Sequence, residues 1–451
     1  MKVCNGRRAK LFAICMNRTG RSFLLALLLL FSTACSTKHS VYASHLSHDQ
    51  RTEKSVQNDI MVEVSALGLE ESKSVFGLPL NDVGVQPIWI RVENNSESPR
   101  VLFPIASDPD YFPPYEVARR ADSVSDKDVD ELYEEISKRL IDIVILAGAT
   151  QEGFLFTQPD EGMKAINIEL QGIGVTEQHQ FVVPVPGMPR DYFHINPERI
   201  NADSRDKDLS ADELHLWLEE LPCCTYNKDG IPGDPLNIAF VGTLDQLRSA
   251  LISRHWDVTA PLSKGSLWRM VSAFVFSSRY RYAPISPLYV FDREHDLAFQ
   301  KSRAIIDQRM HLRLWHAPAT YKGIPVWVGQ ISRDVDVKLS GRMWPPTTHV
   351  IDPDVDEARF YLIQDLMEGG KIAFLGYASG IEPASIENPN FNAENDPYFS
   401  DGLRGVFFLE ERGKFAEHAR LLEWRYPDKL KPLAEIIMAK RKKEGELTVV
   451  P

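Results

Sequence analysis

Two short stretches hold the side chains best suited to chemistry. In His311-Leu312-Arg313-Leu314-Trp315-His316 a strand period puts His311, Arg313 and Trp315 on one face and Leu312, Leu314 and His316 on the other. An imidazole, a guanidinium and an indole together can line an anion pocket, with Arg313 offering a two-pronged donor. Asp334 or Asp336 can join from a neighbouring strand. The competing reading is a cross-strand pair, such as Arg313 with Asp334, on a solvated sheet. The second stretch runs from Thr347 through His349, Asp352, Pro353, Asp354 and Asp356 to Glu357. His349 and Asp352, with a later carboxylate, can hold a divalent metal or serve as a base and its orienting partner. The same residues make an ordinary helix start. Asp352 would be the N-cap, Pro353 the first helical residue, and Asp354, Asp356 and Glu357 the acidic first turn. An EF-hand is excluded, because its sixth and twelfth positions would be Glu357 and Ile363.

Other familiar chemistry is missing. The chain has no GxSxG elbow, P-loop, HExxH or GxGxxG, and no cofactor is implied. Ser286-Pro287 reads as a turn before a strand rather than a nucleophile. Trp256, Trp268, Tyr280 and Tyr282 could form a face for lipid or glycan, but their helical spacing assigns most of them to the core. No CxxC pair exists, which excludes a thiolate zinc site. Cys223-Cys224 is expected to be two small residues of a Pro-Cys-Cys loop, reduced or loosely oxidised, because neighbouring cysteines seldom bond.

The elements that must position these residues fall into two groups. Residues 60–200 read mostly as strands. Val62, Val64 and Ala66 alternate with polar neighbours, as do Ile88, Ile90 and Val92, and further strands are expected at 153–157, 165–171 and 179–185. Short period-two strands with turns between them predict an Ig-like β-sandwich. One charged helix interrupts them, with Ser125 as its cap and Val129, Leu132, Tyr133, Ile136, Leu140 and Ile143 on one face. Residues 201–235 are expected to be a linker with a short helix opened by the capping box Ser210-Ala211-Asp212-Glu213. From Leu236 the pattern changes. Ile238-Ala239-Phe240-Val241 reads as a strand buried on both faces, and Thr243 caps a helix. A second helix is expected at 262–276, another at 353–368, and strands at 288–291, 311–315, 326–332, 335–339, 372–375 and 405–409. Mixed order without strict alternation predicts an α+β domain over 236–412. Residues 413–451, with Lys440-Arg441-Lys442-Lys443, read as a solvated helix or tail.

The start of the chain carries an address. Phe23-Leu24-Leu25-Ala26-Leu27-Leu28-Leu29-Leu30-Phe31-Ser32-Thr33-Ala34 precedes Cys35, and Lys2, Arg7, Arg8, Lys10, Arg18 and Arg21 all precede the apolar run. The run is too short for a span, which needs ~20 apolar residues. The arrangement resembles a bacterial lipoprotein signal peptide, with Met16 the more ordinary initiator. The resemblance implies cleavage before Cys35, lipid on its thiol, and anchorage in the bilayer; Ser36 resembles the outer-membrane pattern, facing the periplasm. Residues 35–59 would be a disordered tether. Removing the leader's six basic residues from 51 leaves 45 against 63 acidic ones, a formal charge of −18. So acidic a body argues against nucleic acid as a partner and against electrostatic docking on anionic lipid.

Several runs in the second region resemble the LssY C-terminal domain family of bacterial envelope proteins. They are Asn237-Ile238-Ala239-Phe240-Val241-Gly242, Ser286-Pro287-Leu288-Tyr289-Val290-Phe291, Asp296-Leu297-Ala298-Phe299-Gln300, His311-Leu312-Arg313-Leu314-Trp315, Val326-Trp327-Val328-Gly329 and Thr348-His349-Val350-Ile351-Asp352-Pro353-Asp354-Val355-Asp356, so that the resemblance covers roughly residues 230–380. Pro87-Ile88-Trp89 and Asp108-Pro109-Asp110-Tyr111-Phe112 look like the sandwich that accompanies this domain in lipoprotein-like relatives. Membership implies an envelope setting and no established reaction. Two functions follow as expectations. One is a non-catalytic lipoprotein binding an envelope protein, lipid or other ligand. The other is a hydrolase of an envelope lipid or phosphate ester using His311, Arg313, His349 and Asp352. Convergence of His311, His349 and Asp352 would favour the hydrolase.

Overall fold

The structure is a computed structural model describing residues 51–108, 110–186, 207–259, 285–302, 309–339, 347–410, 420–422, 424–432, 434–436 and 439. Cys35 and its leader, the helix expected at 262–276, and the basic run 440–443 lie outside the described residues.

Regular structure begins before Ile60, inside the stretch expected to be a tether. Glu53–Gln57 (β1) turns back on Ile60–Ala66 (β2), pairing Gln57 with Ile60. Next come Leu69–Phe76 (α1), Gln86–Asn94 (β3), Arg100–Leu102 (β4), Pro104–Ser107 (α2) and Pro114–Ala121 (α3). Val129–Ser137 (α4) is capped by Asp128, whose carboxylate accepts from the Glu131 N–H, and not by the expected Ser125. Of its predicted face, Leu132 and Ile136 are buried while Tyr133 is exposed. Val144–Ile145 (β5), Thr150–Thr157 (β6), Met163–Gly172 (β7) and Val175–Pro184 (β8) complete this part. They make two four-stranded antiparallel sheets, β1-β2-β3-β6 and β5-β4-β7-β8. Strand alternation turns Ile60, Val62, Val64, Ile88, Ile90 and Val92 of one sheet inward. Ile166, Ile168, Leu170, Phe181 and Val183 of the other meet them in one apolar core.

The stretch expected to be a linker is structural from residue 207 onward. Lys207–Leu209 (β9) pairs in parallel with residues 319–321, and Ala211–Glu220 (α5) has the expected Ser210–Glu213 capping box. Leu214 and Leu218 of α5 are fully buried in a core cluster. Cys224–Tyr226 (β10) and Pro232–Pro235 (β11) form a hairpin. The chain continues through Ile238–Val241 (β12), Leu244–Ile252 (α6), Asp257–Val258 (β13), Tyr289–Val290 (β14), Arg293–Glu294 (β15) and Leu297–Ser302 (β16). The long strands Arg309–Tyr321 (β17) and Ile324–Leu339 (β18) follow, then Thr347–Ile351 (β19), Val355–Glu368 (α7) and Ile372–Ser379 (β20). Asn390–Phe391 (β21), Pro397–Tyr398 (β22), Leu403–Leu409 (β23) and Arg420–Leu421 (β24) close it.

The main sheet runs β13-β16-β17-β18-β12-β23-β20-β24, with β9 beside β17 and β19 beside β18. Its β12–β23 and β20–β24 pairs are parallel and its other pairs mostly antiparallel, so the fold is mixed, as an α+β pattern requires. Ile238, Phe240, Leu312, Leu314, Trp327, Ile331 and Phe407 face α6 and α7 on one side. Ala239, Val241, Trp315, Val328, Val406 and Phe408 face α5 on the other. Met163 of β7 packs in the first of these cores, with Ala165 and Val182 against it. The described residues belong to one compact unit, 43–451.

Candidate functional site

The face of β17 that carries Trp315 at one end carries charge at the other. Arg309, His311 and Arg313 alternate with Met310, Leu312 and Leu314, as the strand period predicts. The register sets Arg313 between Ala298 and Gln330, and His311 between Gln300 and Ser332. Asp334 follows two residues later on the same face of β18. This face is not solvated, which corrects the cross-strand pair on an exposed sheet. His311 is 5 %, Arg313 6 % and Asp334 2 % exposed, and Gln300 and Gln330 are fully buried.

Burial forces the charges to find partners. The Arg313 guanidinium donates from Nη1 to Gln330 Oε1 at 2.7 Å and from Nε to the Ser286 carbonyl at 3.1 Å. Gln330 passes the contact on, its Nε2 donating to Asp234 Oδ2 at 3.2 Å. The other oxygen of Asp234 accepts from Asn392 Nδ2 at 2.9 Å. At the second end, Asp334 Oδ2 lies 3.4 Å from His311 Nε2 and 3.6 Å from Arg309 Nε, and Arg309 Nη1 donates to Gln300 Oε1 at 3.0 Å. Two carboxylates, two guanidiniums and an imidazole thus share one buried network. Burial pushes the Asp334 carboxyl up to about 7, against the pull of Arg309 and Arg313. It also raises Asp234, with Arg313 opposing. Desolvation, with Arg313 adding repulsion, lowers the neighbouring His295 to about 3, so that ring stays neutral.

Trp315 and Asp352 do not join this network. Trp315 shares the face but is fully buried in the apolar core, its Nε1 donating to the Arg293 carbonyl at 3.3 Å. Asp352 is engaged elsewhere. Its N–H donates to the Arg333 carbonyl at 2.7 Å, and its Oδ2 lies 3.9 Å from Arg333 Nη1. Arg333 sits between Ser332 and Asp334 in β18, so its side chain leaves the opposite face, over Tyr361 of α7. Asp352 is also not the N-cap. Asp354 is, its carboxylate accepting from the N–H groups of Asp356 and Glu357, while Asp352 Oδ1 accepts from the Asp354 N–H. The backbone of His349 pairs opposite Val337 in β18; its side chain lies outside the described residues. Trp256 is core, its Nε1 bonded to Asp365, and Trp268, Tyr280 and Tyr282 lie outside the described residues.

Sequence reasoning missed Asp234, Arg309, Gln300 and Gln330. The alternation of Gln330, Ser332 and Asp334 with Ile331 was a legible signal. Asp234 gave none, lying in a Gly/Pro stretch that looks like a loop. Cys223 and Cys224, expected to be unbonded or loosely oxidised, are joined in a vicinal disulfide. Behind them the buried Arg404 guanidinium donates to five carbonyls, those of Leu218, Leu221, Pro222, Leu236 and Gly380. Gly380 is required there, because its φ of 136° disfavours side chains and a Cβ would strike that guanidinium.

Among the described residues no group of three or more His, Cys, Asp or Glu side chains could hold a metal ion, and no helix is long and apolar enough to cross a membrane. A mixed sheet with a closed ionic face defines the class of fold. Residues 218–403, which include β12, β17, β18 and the whole network, match the family model described as LssY C-terminus, and this part of the chain belongs to that family. No curated protein matches the chain.

Proposed function

We propose that this chain is a lipid-anchored protein of the bacterial cell envelope, held through Cys35 at the outer membrane and facing the periplasm. Its LssY-type unit binds an envelope partner or ligand and does not hydrolyse a substrate. The observation that supports the non-catalytic reading is the inward closure of the ionic network. Arg313, the residue best suited to grip an anion, is turned inward, giving Nη1 to Gln330 and Nε to the Ser286 carbonyl. Asp352 contacts Arg333, which leaves the sheet from the other face. The region 53–184 is read as the Ig-like β-sandwich that carries this unit, supported by two antiparallel sheets sharing one core. The anchor rests on the basic start, the apolar run and Cys35.

One contact favours a second reading, an acid–base site made of His311 and Asp334, 3.4 Å apart, with Arg313 beside them. It would serve ester or phosphate-ester hydrolysis. Chromogenic phosphate and carboxylic esters separate the two. Purified protein should turn over neither faster than His311→Gln does. Turnover that this variant abolishes while keeping the wild-type melting temperature would overturn the binding reading. Metabolic labelling with a fatty-acid probe tests the anchor: wild type should take up label and Cys35→Ser should not, whereas equal labelling rejects lipidation.

A further inference from the structure

The bonded pair Cys223–Cys224 has no part in the network's hydrogen bonds, yet it sits at the hinge of the hairpin that supplies Asp234. Cys224 opens β10 and pairs with Pro235, the residue after Asp234. Thr225 Oγ1 donates to the Asp234 carbonyl at 2.9 Å, and the Leu236 N–H donates to the Cys223 carbonyl at 2.9 Å. On the near side of the pair, Arg404 holds the Leu221 and Pro222 carbonyls against the sheet. The chain is thus fastened immediately before and after the disulfide. The two cysteines differ in exposure: Cys224 is 4 % exposed, with Sγ 3.7 Å from the Tyr398 hydroxyl, whereas Cys223 is only half-buried.

We propose that Cys223–Cys224 is a reversible thiol–disulfide exchange site for a dithiol, a small molecule or a dithiol protein, and that its state is transmitted to Asp234. A thiolate of the dithiol attacks Sγ of Cys223, the S–S bond breaks, and the electron pair leaves with Cys224, which takes a proton. The second thiol then attacks the mixed disulfide. The external dithiol ends as a disulfide, and both cysteines end as thiols, two electrons and two protons richer. Because Arg404 and the 224–235 hairpin hold the flanks, the ring opens without unfolding the sheet. The freedom gained falls on the peptide joining the cysteines, and through the Cys223 carbonyl on the Leu236 amide beside Asp234.

The test uses the purified full-length body in its two redox states. Dithiothreitol without denaturant should open Cys223 and Cys224 to an alkylating reagent, located by peptide mass, with the near-UV circular dichroism retained. Removing the reductant and adding oxidised dithiothreitol should close them again. In the reduced form the amide of Leu236 should exchange hydrogen about tenfold faster, while amides of β17 keep their protection. Three results overturn the proposal: alkylation of Cys223 or Cys224 before any reductant, a bond that resists the dithiol until denaturant is added, or unchanged exchange at Leu236 after reduction.

Discussion

At the scale of single residues, the chain spends charge inside the sheet where apolar side chains would have been simpler. Removing one member of a buried ionic set leaves another charge without compensation, which costs about 3–5 kcal/mol. Arg313→Ala should therefore destabilise by that order in denaturant melts, since it strips Asp234 of its opposing charge and Gln330 of its donor. Asp334 carries the pH dependence. Its folded pKa, about 7, stands above the unfolded value of about 3.9. Its contribution to stability is then full below the unfolded value and is lost as pH rises through 7, because the native state must give up a proton it holds tightly. Melting temperatures at pH 5 and pH 8 check this. Wild type should lose more between them than Asp334→Asn does, while histidines remote from this pair contribute equally to both proteins. An equal loss would mean that Asp334 holds no proton at pH 5.

At the scale of elements, caps and alternation decided most of what formed. Ser210 and Thr243 sit where their side chains can satisfy the N–H three residues on, and both do. The start of α7 shows where such reasoning slips. Three acidic residues within five positions each suit a cap, and the choice falls to Asp354 because the Asp352 N–H is already bonded to β18. Asp354→Ala should cost about 1 kcal/mol, as loss of an N-cap does, while Asp352→Asn should stay within about 0.5 kcal/mol because asparagine still accepts from the Asp354 N–H. Thermal unfolding of the two variants measures the difference. A larger loss for Asp352→Asn would place function or charge pairing above capping at this turn.

At the scale of the whole molecule, the part matching the LssY family extends its support toward the N-terminus. We expect a fragment beginning at residue 207 to unfold cooperatively, with a lower melting temperature than the parent because Met163 no longer fills its core. A fragment beginning at residue 234 loses β9, α5, the buried Leu214 and Leu218, and the disulfide, and should lack near-UV tertiary signal. Equal cooperativity of both fragments would show that 207–233 is dispensable. The sequence by itself determined the strands and helices whose side chains obey a period, from Val62-Val64 to Ile238–Val241, the capping boxes, and the shared face of His311, Arg313 and Trp315, because these depend on neighbours within a few residues. Tertiary structure alone decided what covers each face. Period two shows that Arg313 and Trp315 point the same way, but not that both are shut from water. Nor does it show that Asp234, 96 residues earlier, reaches Gln330, or that Asp352 meets Arg333 on the far side. Those contacts join segments distant along the chain, and only the packing of the sheet brings them together.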